Sequence, residues 1–234
     1  MLLAELEIWH SRRVAPTRRV ALGRRHLPVH PAPGFGGILL GAVVAAHVEE
    51  VDPDLLPDLL RLTVELEEGR RIPQPRLRYR FQTDRIGLSR SRHRLVGEGE
   101  RIEFLFDNQG WPAQQVLGAV YAAGQVERER RAAVMDVIRK SVHWRGPVGP
   151  ALVAHLTGLS GPRATSTRAF ADPVAWALDV LGFELLDAPG SRDVQRRFRD
   201  LVRLAHPDHG GAAEDAAARI ADLAEARRIL LDAG

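Results

Sequence analysis

Two histidines and an aspartate in one short segment are the residues best suited to chemistry. His206-Pro207-Asp208-His209 follows a run of arginines and precedes Gly210-Gly211. Imidazole and carboxylate groups can transfer protons or bind a metal ion. We expect no metal here, because two histidines with no third ligand other than Asp208 rarely form a site. The segment could also simply end a helix and turn the chain, since Pro-Asp and Gly-Gly are common in turns.

Helical patterns lie on both sides of this segment. A short helix is predicted after Asp172, which suits an N-cap, with Pro173 at its first position and Gly182 after its last turn. A second helix is predicted from Ser191 to Ala205, where Pro207 prevents its continuation. A third is predicted from about Ala213 to Asp232. The segment would therefore lie at the tip of a helical hairpin.

The second predicted helix has two distinct faces. Apolar residues at steps of four, three and four indicate a face that packs against a core: Val194, Phe198, Leu201 and Ala205. Arginines follow the same steps on another face: Arg192, Arg196, Arg199 and Arg203. The inward positions expected in the neighbouring helices are Ala177, Leu178, Leu181, Ile220, Leu223, Ala224 and Leu230. One side of the helix should pack while the other presents cations.

These features resemble the J-domain of DnaJ-type co-chaperones. The resemblance covers Asp172 to Gly234, and it rests on His206-Pro207-Asp208, on the basic helix before it, and on the pattern "IADLAEARRILLD" of the third helix. It departs from the family pattern at Ala205, Arg227 and His209, where an aromatic residue, a tyrosine and a lysine are usual. We expect the stem of Arg227 to cover the core.

The resemblance implies a specific role. J-domains bind the ATP-loaded seventy-kilodalton heat-shock chaperone, the DnaK type, and stimulate its ATP hydrolysis. His206, Pro207 and Asp208 would form the triggering contact, and Arg196, Arg199 and Arg203 would face an acidic patch on that chaperone. The chain would then be an activator of a partner ATPase, not an enzyme, and would need no cofactor.

The sequence pattern of residues 1–157 predicts an α+β domain with a small antiparallel sheet and several helices. Alternating apolar residues indicate strands at Arg76–Gln82 and Arg101–Asp107, with a third strand in Ile86–Val96. Helices are expected at 37–51, 53–68 and 112–142, with a break in the last at Gly124. This domain should select the client or the location. Gly158–Ala171 is the predicted linker to the J-domain, residues 172–234.

Arginines recur in this first domain and leave a second function open. Pairs spaced by six residues would share one face of an extended strand: Arg12-Arg13, Arg18-Arg19 and Arg24-Arg25. The predicted strands add Arg76, Arg78, Arg80, Arg90, Arg92 and Arg94. These arginines could bind nucleic acid, a ribosome or an acidic partner, or they could form a solvated edge. From Asp172 onward, eight arginines accompany twelve acidic residues, whereas the first part has 25 basic and 18 acidic residues.

Other classes lack the residues they need. The 234-residue chain has no cysteine, which excludes disulfides and thiolate chemistry and favours the cytoplasm. No P-loop sequence is present, "GFGGILLG" lacks the third glycine of a dinucleotide site, and "GLSGP" is not a nucleophile elbow. The apolar stretch at residues 36–48 is too short to span a membrane.

Overall fold

The computed structural model describes residues 1–12, 15, 18–70, 79–98, 101–107, 109–158, 172–184, 188–205 and 213–232. The chain divides into two compact units, Met1–Thr157 and Gly158–Gly234. Among the described residues, no helix is both long and apolar enough to cross a membrane. The expected coarse fold, a mixed α and β first part followed by helices, is confirmed.

A five-stranded sheet organises the first unit. Its strands are β1 (Leu2–His10), β2 (Arg19–His26), β3 (Arg80–Phe81), β4 (Ser89–Glu98) and β5 (Arg101–Leu105). The spatial order is β3-β2-β1-β4-β5. All neighbours are antiparallel except β2 and β3, which run parallel. The prediction of a purely antiparallel sheet is therefore wrong: two helices separate β2 from β3, and such a crossover lets strands run in the same direction.

Five α-helices accompany the sheet in the part of this unit that the structure describes. They are α1 (Gly34–His47), α2 (Leu56–Glu67), α3 (Pro112–Gly124), α4 (Arg128–Val142) and α5 (Pro150–Thr157). Short 3₁₀ turns at Val48–Glu50 and Pro53–Leu55 lie between α1 and α2. The expected break near Gly124 is confirmed, because α3 ends there and α4 begins at Arg128. The core positions on these two helices and between them include Val116, Val120, Val126, Val134 and Ile138. Helix α1 is buried on nearly every side, because it contacts the sheet, α3 and α4.

The approach of α3 to the sheet depends on Gly118. A Cβ atom built on Gly118 would lie 2.6 Å from Cδ1 of Ile8, a fully buried residue of the central strand. We expect Gly118→Ala to destabilise the first unit by about 1–3 kcal/mol, because the overpacked core must shift. Urea unfolding would measure the loss. An unchanged midpoint would contradict this packing.

The described residues of the second unit form three helices. These are α6 (Pro173–Leu181), α7 (Ser191–Ala205) and α8 (Ala213–Asp232). The predicted boundaries of α6 are confirmed: Oδ1 of Asp172 accepts a hydrogen bond of 2.9 Å from the Ala175 N–H. Gly182 ends α6 with a φ of +69°, in the left-handed region that favours glycine. The predicted linker lies outside the described residues, apart from Gly158.

Candidate functional site

Helices α6, α7 and α8 share one apolar core. Its buried members come from all three helices: Trp176, Ala177, Leu178, Leu181, Val194, Leu223, Ala226 and Leu230. Phe198, Leu201 and Ala205 of α7 pack against this core and are partly buried. The predicted apolar face of α7 is therefore confirmed. Ala224 is exposed, so its predicted inward position is wrong: the helical turn places Ala224 away from the stripe formed by Leu223 and Ala226.

The opposite side of α7 carries its cations. We call Arg192, Arg196, Arg199 and Arg203 the α7 arginine face, and all four are exposed. Nη2 of Arg196 donates to Oδ1 of Asp193 at 2.8 Å. For Arg192, Arg199 and Arg203, no hydrogen bond or ion pair forms with another residue in the part of the chain that the structure describes. Charges without such partners are available to a second molecule.

Two further arginines support the helical unit itself. Nε of Arg197 donates to the Leu181 carbonyl at 2.9 Å, which ties α7 to the end of α6. The guanidinium of Arg227 lies 4.6 Å from the ring centroid of Phe198, a distance typical of a cation–π contact. Arg227 therefore covers an aromatic core residue, in line with the expected covering role. His206, Pro207 and Asp208 lie outside the described residues, as does His209.

The arginine pairs of the first unit do not share one face of a strand, although their spacing predicts it. Strand β2 shifts its register against β1, with Leu22 opposite Ile8 but Arg25 opposite Leu6. The extra residue breaks the twofold alternation, so the six-residue spacing does not keep one face between Arg19 and Arg25. Nη1 of Arg25 donates to Oε1 of Gln125 at the end of α3.

The other arginines predicted to bind a partner through the first unit differ in exposure. Arg12, Arg18, Arg24 and Arg80 are exposed and Arg19 is half-buried, whereas Arg13, Arg76 and Arg78 lie outside the described residues.

The strand arginines of β4 are partly neutralised by β1. Nη2 of Arg92 lies 3.0 Å from Oε1 of Glu7, and Nη1 of Arg90 lies 3.4 Å from the same oxygen. Burial alone would raise the pKa of Glu7. The Arg24 N–H and the two guanidinium groups outweigh that effect and hold the pKa below its ordinary value. These contacts stabilise the sheet and leave fewer free cations than the sequence suggests.

Three buried histidines of the first unit form a group that the sequence did not indicate. This histidine cluster consists of His10 on β1, His47 on α1 and His93 on β4, each at most 7% exposed. The rings of His47 and His93 meet edge to face, with centroids 5.9 Å apart. Burial lowers the pKa of all three rings, and it lowers that of His93 to about 4. The cluster is therefore uncharged at neutral pH.

Amide and hydroxyl groups surround the histidine cluster. Nε2 of His93 lies 2.9 Å from Oε1 of Gln115, and Nε2 of His10 lies 2.8 Å from Oγ of Ser91. Nε2 of Gln115 donates to Ser91 Oγ at 3.0 Å and also to the Gln109 carbonyl. Among the described residues, no group of three or more His, Asp or Glu is placed to hold a metal ion.

No protein-family model, curated protein or solved structure matches this chain.

Proposed function

We propose that the chain is a J-domain co-chaperone that binds a DnaK-type ATPase and stimulates its ATP hydrolysis. The observation that carries the proposal is the architecture of α7. One side of this helix packs into the three-helix core and the other presents four arginines. The helix ends at Ala205, immediately before the sequence His206-Pro207-Asp208. A cationic helix beside this sequence is the arrangement that the family uses.

The physical roles of the two parts differ. Exposed arginines attract an acidic surface and raise the rate of encounter, but each adds little affinity because solvent and salt screen it. The residues of the His-Pro-Asp sequence would then make the short-range contacts that alter the ATPase. Arg197, Phe198 and the core fix α7, so its arginine face has a defined orientation on the helical unit.

Charge reversal on α7 should weaken binding to the ATP-loaded chaperone. We expect the double substitution Arg199→Glu and Arg203→Glu to raise the Kd by about tenfold or more at low ionic strength, because attraction becomes repulsion. The salt dependence of binding should also fall. Fluorescence anisotropy with the ATP-loaded chaperone, at low and at physiological ionic strength, measures both effects.

Arg219 supplies the matched control. It is exposed on α8 of the same unit, outside the α7 arginine face. Arg219→Glu should leave the Kd within about twofold of the wild-type value, because surface charges far from a contact are screened. Equal weakening by both variants would show a general charge effect and contradict a contact through α7.

Nucleic-acid or ribosome binding by the first unit has less support. Arg90 and Arg92 pair with Glu7, and the guanidinium of Arg18 lies 5.7 Å from the Tyr79 ring centroid. Salt-dependent retention of the chain on nucleic acid would favour this alternative. The absence of retention at low ionic strength would exclude it. The co-chaperone proposal also assigns to the first unit the selection of the client or of the location.

A further inference from the structure

A cavity of about 290 Å³ opens in the first unit beside the histidine cluster. It lies between the end of α1, the 3₁₀ turn that follows it and the start of α3. Its lining residues are Ala46, His47, Glu50, Gln109, Gly110, Pro112 and Gln115. A volume of this size accommodates a small organic molecule.

The Gln115 side chain lines this cavity, and its amide group is already fully hydrogen-bonded within the protein. The Gln109 carbonyl can only accept, so the Gln115 nitrogen must face it and donate to it. Oε1 of Gln115 then faces Nε2 of His93 and accepts a hydrogen bond from its N–H group. His93 is therefore protonated at Nε2, and its Nδ1 carries a lone pair. Gln115 is held in one orientation and has no amide proton left for a ligand.

The histidine of the lining, in contrast, has an unsatisfied atom. Nε2 of His47 is buried and has no hydrogen-bond partner within the described residues. The same holds for Nδ1 of His93, which does not line the cavity. His47 is only 7% exposed, yet it lines the cavity. Buried polar atoms without partners oppose folding, so native proteins keep few of them, and those often belong to functional sites.

The charge of the lining favours a cation. Among the described residues of the lining, Glu50 alone carries a formal charge at neutral pH, because burial keeps His47 neutral. The C-terminal end of α1 adds a partial negative charge at the same place. At the start of α3, Pro112 has no N–H group, and the Trp111 N–H donates to Oε1 of Gln114 at 2.8 Å. The N-terminal end of α3 adds a partial positive charge, but neither of these two positions offers a backbone N–H to an anion.

We propose that this cavity binds a small organic cation with N–H donors, of the amine or guanidinium class. The Glu50 carboxylate would pair with its charge, and the neutral imidazole of His47 would accept one of its N–H groups. The proposal concerns the first unit alone and does not depend on co-chaperone activity.

Methylguanidinium is a suitable probe because it carries the charge and several N–H donors. Full-length protein labelled with ¹⁵N at its histidines would be titrated with methylguanidinium chloride and followed by NMR. We expect the ring resonances of His47, assigned by their loss in His47→Phe, to shift with a Kd on the order of 1–10 mM, as suits so small a ligand. Parallel titrations with sodium acetate and with zinc chloride test whether the cavity binds an anion or a metal ion instead.

A pair of neighbouring glutamates makes the test specific. Glu50→Gln should abolish the shifts, whereas Glu49→Gln should retain them, because Glu49 does not line this cavity. His47→Phe should also abolish binding, monitored at the His93 ring, and should raise the unfolding temperature by removing an unpartnered polar atom. If His47→Phe fails to fold, the glutamate pair still decides. Equal binding by both glutamate variants, the same shifts with acetate, or saturable binding of zinc alone would overturn the proposal.

Discussion

Leu223→Ala is expected to destabilise the three-helix unit strongly and to speed the exchange of its amides while leaving the sheet unit intact. Leu223 is fully buried on α8, in the core that α6 and α7 complete. Removing a buried leucine side chain costs about 2–5 kcal/mol, and a domain is stable by only about 5–15 kcal/mol. Hydrogen exchange followed by mass spectrometry would resolve the two units, with loss of protection confined to α6, α7 and α8.

Leu204 provides the control for this substitution. It lies on α7 of the same unit but is 72% exposed. Leu204→Ala deletes the same atoms without opening a cavity, so amide protection should remain close to the wild-type level. If Leu204→Ala exposed the amides as much as Leu223→Ala, or if Leu223→Ala had no effect, the described core would be wrong.

Acidification should destabilise the first unit in a window set by His93. Burial lowers the folded-state pKa of His93 from 6.5 to about 4, so the unfolded chain binds the proton more readily. The stability contributed by neutral His93 is complete above pH 6.5 and is lost as the pH falls toward 4. A shift of this size corresponds to about 3 kcal/mol. His10 and His47 act in the same direction.

Urea unfolding of the first unit between pH 7 and pH 4 would measure this loss. In His93→Leu the pH dependence should become clearly shallower, because the side chain that takes up the proton on unfolding is gone. His143→Gln, at an exposed position, should keep the wild-type slope. The pKa of Glu7 is lowered, so the stability contributed by its ionised form is complete above about 4.5 and is lost only below that pH. An unchanged slope in His93→Leu would contradict the burial of a neutral imidazole.

The helices of the second unit could be predicted because their signals are local. The boundaries of α6 are set by Asp172, Pro173 and Gly182, which lie at its two ends. The apolar steps of α7 repeat within that one helix. Strands β4 and β5 were also predictable from alternation. In all these segments, the residues that determine the structure lie within a few positions of one another.

The central position of the first strand could not be predicted: Ala4, Leu6 and Ile8 alternate with Glu5 and Glu7, as in a strand with one exposed face, but the burial of both faces depends on distant residues. Strand β1 lies at the centre of the sheet, and its Glu5 and Glu7 are buried although they are charged. They can be buried because β4 supplies Arg90 and Arg92 as partners. No property of the first ten residues alone shows this pairing.

The histidine cluster was missed for the same reason. His10, His47 and His93 are far apart in sequence and come from three different elements. Register brings His93 opposite Leu6 and Ser91 opposite Ile8, on the helix-covered side of the sheet. A lone histidine on an otherwise apolar face was the only available signal, and it is present at His47 within "GAVVAAHVEE".

The most direct test of the co-chaperone proposal is single-turnover ATP hydrolysis by a DnaK-type chaperone. Wild-type protein should accelerate hydrolysis by about tenfold or more, which corresponds to a barrier lowered by at least 1.4 kcal/mol. His206→Gln should give no acceleration while its helices α6, α7 and α8 retain their amide protection. If wild-type protein left the rate unchanged, or if His206→Gln stimulated it equally well, the chain would not be a J-domain co-chaperone.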